Sequence, residues 1–168
     1  MKSHVNLLGS KDWYEILDPK TAPKAVIGKY RVKLLQDVTF TVYGVHEASW
    51  ETRYIKDRHT GLEIVSMELR NLNAIFTLKA GYMWDAATLL PLDNKKIWWS
   101  LPHDATYQMA IELLKQGDKY LYNELKKAAD KKMYKDCLRS GESKIMAKIY
   151  TFAVKRLYPI WVKVTGKR

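Results

Sequence analysis

From Lys29 to Trp84 the chain alternates apolar and polar side chains. Val32 and Leu34, then Val38, Phe40 and Val42, recur with a period of two, which predicts half-buried strands. Arg53-Tyr54-Ile55 and Leu62-Glu63-Ile64-Val65 flank the polar Asp57-Arg58-His59-Thr60-Gly61, a spacing that suits a hairpin loop. Ala74-Ile75-Phe76-Thr77-Leu78 reads as a further strand. Residues 1–28 carry Gly9, Pro19, Pro23 and Gly28 with weak periodicity and read as an irregular lead-in.

The period changes in the second half. His103, Tyr107, Ala110, Ile111 and Leu114 share one arc of a helical projection, with Gln108, Glu112 and Lys115 opposite, so Pro102 is expected to open an amphipathic helix. A second helix is expected over 118–138, burying Tyr122, Leu125, Ala129 and Met133 and ending at Ser140-Gly141. A third begins near Glu142, turns Tyr150, Ala153, Val154 and Leu157 inward, and is kinked or ended by Pro159. The fold class is therefore α+β: a small antiparallel sheet over 29–84, then a three-helix core over 98–164, in one domain of 168 residues.

Charge adds a partner class. The net charge is +11, and Lys115 to Arg168 hold 15 basic against 5 acidic residues. Such a field favours an anionic partner, whether nucleic acid, phospholipid or acidic protein, and selects none of them. On the third helix, Lys144, Lys148 and Lys155 form a stripe predicted to face solvent. The single Cys137 excludes an internal disulfide framework, and the N-terminal stretch lacks the apolar region of a signal peptide, so a reducing cytoplasm is the expected setting. No run of residues is apolar enough to span a bilayer.

The candidate chemistry centres on Pro102-His103-Asp104-Ala105-Thr106-Tyr107. Adjacent helical residues project about 100° apart, so His103 and Asp104 are expected to serve different partners. Desolvation on an apolar face should lower the His103 pKa and keep the ring neutral, ready to take a proton. Asp130, at the edge of the second helix's buried stripe, is the candidate to orient that ring if the two helices pack antiparallel, with Asp136 as its rival. Asp85 and Asp104 together offer oxygens to a hard cation such as calcium or magnesium. Each residue also has an ordinary reading: His103 and Tyr107 as core packing, Asp85 as a turn residue, Asp130 as a surface charge. Trp98-Trp99 is expected to pack the sheet against the helices.

Taken in order, G-Y-M-W-D-A-A-T-L-L-P (81–91), P-H-D-A-T-Y (102–107), A-A-D-K-K-M-Y (128–134) and I-Y-T-F-A-V-K (149–155) resemble a family of small proteins of unknown function common in tailed phages and prophages. The likeness covers 81–157. More distantly, the helical segments resemble the calcium-dependent histidine–aspartate phospholipases A, particularly the short bacterial ones. That resemblance implies a phospholipase-like antiparallel helix pair in which His103 activates water, Asp104 binds calcium, Asp130 orients the histidine and Tyr107 bonds that aspartate. The chain departs from those enzymes in its lone cysteine and in having only Gly81 in the corresponding loop.

Two functions are therefore expected in competition. One is a phage-encoded hydrolase of ester or related bonds built on a His103/Asp130 dyad. The other is a non-catalytic virion component or host-takeover protein that binds an anionic partner through its basic helices, acting in the host cytoplasm or the virion. A metal-dependent phosphohydrolase ranks last, because its further histidine would have to be His46 or His59, both in strand-like sequence.

Overall fold

The computed structural model describes residues 2–8, 10–23, 30–46, 52–56, 61–86 and 91–165, with the backbone alone at Lys2, Val5 and 157–165. The strands are β1 (Lys2–Ser3), β2 (Tyr14–Ile16), β3 (Val32–Leu34), β4 (Val38–Tyr43), β5 (Thr52–Lys56), β6 (Glu63–Arg70), β7 (Asn73–Leu78) and β8 (Met83–Trp84). They are followed by the helices α1 (Asn94–Lys115), α2 (Lys119–Arg139) and α3 (Lys144–Thr165). The α+β reading holds, with two sheets in place of one: a five-stranded sheet ordered β1-β4-β7-β6-β5 and a three-stranded sheet ordered β2-β3-β8.

Alternation decides the face of each strand. In β4, Val38, Phe40 and Val42 are buried while Thr39 and Thr41 are half-exposed, and Phe40 stacks on its cross-strand partner Phe76 at 4.9 Å. β5 and β6 pair antiparallel as the hairpin reading requires. The turn residues Asp57 to Thr60 lie outside the described residues, as do Ala87 to Leu90 of the 81–91 segment. His46 is not in a strand; it follows β4, and its carbonyl accepts the Tyr120 hydroxyl at 2.9 Å.

The first 28 residues are not an irregular lead-in. β1 pairs in parallel with β4, β2 pairs with β3, and a 3-10 turn over His4–Leu7 buries His4 and Leu7. One fastening of this segment lies in α1. Pro102 does not open this helix but sits inside it, eight residues beyond Asn94, where Asp93 caps the start by accepting the Lys96 N–H at 2.8 Å. A proline in a helix has no N–H for the carbonyl four residues earlier, here that of Trp98. His4 supplies the missing donor. Its Nε2 lies 2.6 Å from the Trp98 carbonyl, the Trp98 indole donates back to the His4 carbonyl at 2.8 Å, and the two rings stack at 4.3 Å. The N-terminal segment is therefore an integral part of the helical core.

α1 is also more deeply buried than an amphipathic reading allows. Ile97 to His103 are all buried, as are Ala105 to Tyr107, Met109 and Ala110, so nearly the whole circumference of its first half is enclosed. It joins α2 through a tight turn in which the Gly117 N–H reaches the Leu114 carbonyl at 3.1 Å and the Asp118 N–H reaches Leu113 at 2.9 Å. Gly117 has φ +91, the left-handed conformation this turn demands. Asp118 then caps α2 by accepting the Leu121 N–H at 2.9 Å. Two helices joined so tightly run antiparallel. The same turn recurs at Gly141, and α3 starts at Lys144 with Ser143 accepting the Met146 N–H. Pro159 does not end α3, which continues to Thr165.

Candidate active site

Two fastenings bring the polar residues together. The antiparallel turn places Asp130 of α2 beside the second half of α1, where the Tyr107 hydroxyl donates to Asp130 Oδ1 at 2.6 Å. On the other side, the indole N–H of Trp84 in β8 donates to Ser100 Oγ at 3.1 Å. That bond holds the end of β8 against α1, and Asp104 is one turn further along the face that carries Ser100. Asp85, the residue after Trp84, thereby meets Asp104. Ala86 follows with φ +43, an uncommon conformation for alanine, and Arg31 Nη1 donates to its carbonyl at 3.4 Å.

His103 lies between these groups, with only 6% of its side chain exposed. Its Nε2 is 3.6 Å from Asp130 Oδ1, an ion-pair separation longer than a hydrogen bond. Its Nδ1 is 3.1 Å from Asp104 Oδ1, and its ring tilts over Tyr107 at 4.2 Å. Asp130 is thus the carboxylate that faces the histidine. Asp136, the rival, is engaged elsewhere, with Lys132 at 2.8 Å and Arg139 at 3.5 Å. The expectation that His103 and Asp104 do not serve one another is overturned. Nδ1 is the ring nitrogen nearest the backbone, so a neighbouring carboxylate reaches it despite the divergence of adjacent helical side chains.

The electrostatics correct a second expectation. Burial opposes charge on His103, but Asp104 and Asp130 outweigh it and hold the ring's pKa above the ordinary histidine value. The ring therefore holds its proton more tightly than an ordinary histidine, the opposite of the lowering expected. Asp104 moves the other way for a carboxylate. Burial pushes its pKa up to about 7 and the Asp85 carboxylate adds to the rise, against the pull of His103. Two carboxylates pressed together share a proton more readily than they both ionise.

This environment bears on the cation reading. Asp85 and Asp104 meet, but among the described residues no group of three or more His, Cys, Asp or Glu side chains is placed to hold a metal ion. The pair suits a hard ion that completes its shell with carbonyl or water oxygens, and such an ion would have to displace the proton that Asp104 favours.

Several contributors carry weak sequence signals. Tyr82 is buried, its hydroxyl has no hydrogen-bond partner among the described residues, and Asp104 and Asp85 bear on it after burial itself. Its inward position follows from alternation with Trp84. A groove of about 490 Å³ opens between α2 and α3, walled by Lys127, Lys131, Lys148, Lys155 and Phe152, with Asp130 also lining it. Lys144, Lys148 and Lys155 are exposed as predicted, and Tyr150 and Val154 are half-buried; the side chain of Leu157 lies outside the described residues. Trp99 packs α1 against α3 by stacking on Tyr150 at 5.4 Å, while Trp98 belongs to the His4 clamp. No helix among the described residues is long and apolar enough to cross a membrane. Compared with known proteins, the chain matches no family model, no curated protein and no solved structure.

Proposed function

We propose that this chain is a phage-encoded, phospholipase-like hydrolase of ester or related bonds, with His103 as its general base. The observation that supports this reading is the row Tyr107, Asp130, His103, Asp104, Asp85, polar groups in successive contact that run from the buried face between α1 and α2 to the half-buried Asp104 and Asp85. Asp130, held by Tyr107, would orient the ring through Nε2, and Nδ1 would take a proton from water once Asp104, which faces it at 3.1 Å, turns from the ring to a cation. Asp104 and Asp85 would hold a calcium ion, which would stabilise negative charge developing on the substrate. Because the carboxylates favour the protonated ring, activity should rise with pH through a value above 6.5. The test is hydrolysis of a panel of carboxyl esters, phosphodiesters and phospholipids with calcium present. His103→Asn should lower any turnover by about 10²-fold or more. Turnover unchanged in that variant, or none on any substrate, ends the reading.

A second reading is favoured by the four lysines of the α2/α3 groove. In it the protein is a non-catalytic virion component or host-takeover protein, and this face binds an anionic partner through summed charge. Binding should then weaken steeply with salt, and a flat salt dependence contradicts it.

A further inference from the structure

We infer that the outward face of α3 docks onto an anionic lipid surface. The inference rests on the second reading's premise that the α2/α3 face is a binding surface, and names its partner. Ile145, Ile149 and Phe152 are exposed by 71%, 51% and 61%, and their i, i+4, i+7 spacing sets them in one ridge. The opposite side of the helix is the one that packs: Ala147 and Thr151 are buried, and Tyr150 meets Trp99. The solvent side is therefore not the plain lysine stripe that its sequence predicts. Lys144, Lys148 and Lys155 run beside an apolar ridge, and Lys127 and Lys131 extend the basic patch across the groove. The guanidinium of Arg156 lies 5.4 Å from the centre of the Phe152 ring, adding a cation at the ridge itself.

Each alternative occupant leaves part of this surface unused. A second copy would set lysine rows of a +11 chain against one another. Nucleic acid would engage the lysines but offer nothing to Ile145 and Ile149, which cannot stack with bases. A folded acidic protein would need a groove shaped to a convex ridge. A lipid headgroup region needs no preformed shape: apolar side chains enter the boundary with the acyl chains while lysines meet the phosphates. Since no described helix can cross a membrane, α3 would lie along the surface.

The experiment is sedimentation of the full chain with vesicles of phosphatidylglycerol and phosphatidylcholine, against vesicles of phosphatidylcholine alone, with heparin binding measured in parallel. The wild type should bind the anionic vesicles and not the neutral ones. Ile145→Ser/Ile149→Ser/Phe152→Ser should weaken vesicle binding by about tenfold or more and leave heparin binding unchanged. Lys144→Glu/Lys148→Glu/Lys155→Glu should weaken both. Should the serine variant melt early, Phe152→Ala alone replaces it, with a smaller loss on vesicles only. Wild-type binding to heparin without binding to anionic vesicles overturns the lipid inference and points to nucleic acid or an acidic protein. Binding to neither overturns the second reading with it. Vesicle binding unaffected by the serine substitutions also overturns the inference.

Discussion

Two buried histidines, in different parts of the molecule, have pKa values shifted in opposite directions. His4 is wholly enclosed in the seam between the N-terminal segment and α1, where burial, aided by the nearby charges of Lys132 and Arg139, lowers its pKa to about 3 against the pull of the Trp98 carbonyl. His103 is nearly as enclosed, yet its pKa is raised, because its two nitrogens face carboxylates. The neutral ring does one structural job, completing a helix that Pro102 interrupts. The His103 ring sits in a row of titratable groups. Burial alone therefore does not set the protonation state of a core histidine; it prevails at His4, and facing carboxylates override it at His103.

The largest expected effect comes from making His103 more like His4. Asp130→Ala removes a carboxylate from a buried pair and leaves the Tyr107 hydroxyl without its acceptor, and should cost about 4 kcal/mol in denaturant unfolding at neutral pH. The His103 pKa should fall in the same variant. If both stay as in the wild type, the contrast with His4 does not depend on Asp130.

A somewhat smaller loss tests the other histidine. His4→Ala opens a cavity beside Trp98 and orphans its carbonyl, for an expected cost of about 3 kcal/mol. Adding Pro102→Ala returns an N–H to that carbonyl, so the double variant should recover about 1 kcal/mol relative to the sum of the singles. Strict additivity in the double-mutant cycle would show that His4 is not the substitute donor.

These two sites also mark what the sequence discloses. The strands around Val38, Phe40 and Val42, the tight Gly117 turn and the position of Asp130 follow from periodicity and local turn chemistry. The true start of α1 does not. Pro102 resembles a first-turn proline until a distant side chain is known to replace its missing bond, and His4 is 94 positions away from the Trp98 it serves. The contact between His103 and Asp104 was hidden for a related reason, since helical projection describes Cβ directions and not the reach of a proximal ring nitrogen. The charge on His103 is legible only once both carboxylates are placed. On α3 the lysine stripe is readable, but the sequence reading assigns only the inward Tyr150, Ala153, Val154 and Leu157 and the lysines, leaving the exposed ridge of Ile145, Ile149 and Phe152 unread.

Tyr107→Phe should produce a smaller effect, about 2 kcal/mol, by removing one hydrogen bond to a buried carboxylate while preserving the ring that tilts over His103. The last effect is read in the pH dependence of stability. Asp104 is favoured in its protonated form, with a folded pKa near 7 above its unfolded 3.8. The stability it contributes is complete below pH 3.8 and lost as pH rises through about 7. Asp104→Asn should therefore flatten the pH dependence of unfolding across that window, and an unchanged slope would show that Asp104 is not the group that takes up the proton.

The central claim is that burial keeps His4 neutral, whereas at His103 the facing carboxylates override burial. A pH titration of the imidazole nitrogens by NMR, with His103 assigned through His103→Asn, tests it directly. The account predicts a His103 midpoint above 6.5 and a His4 ring that stays neutral with its proton on Nε2 from pH 5 to 8. A His103 midpoint below 6.5, or two rings that titrate together, would contradict it.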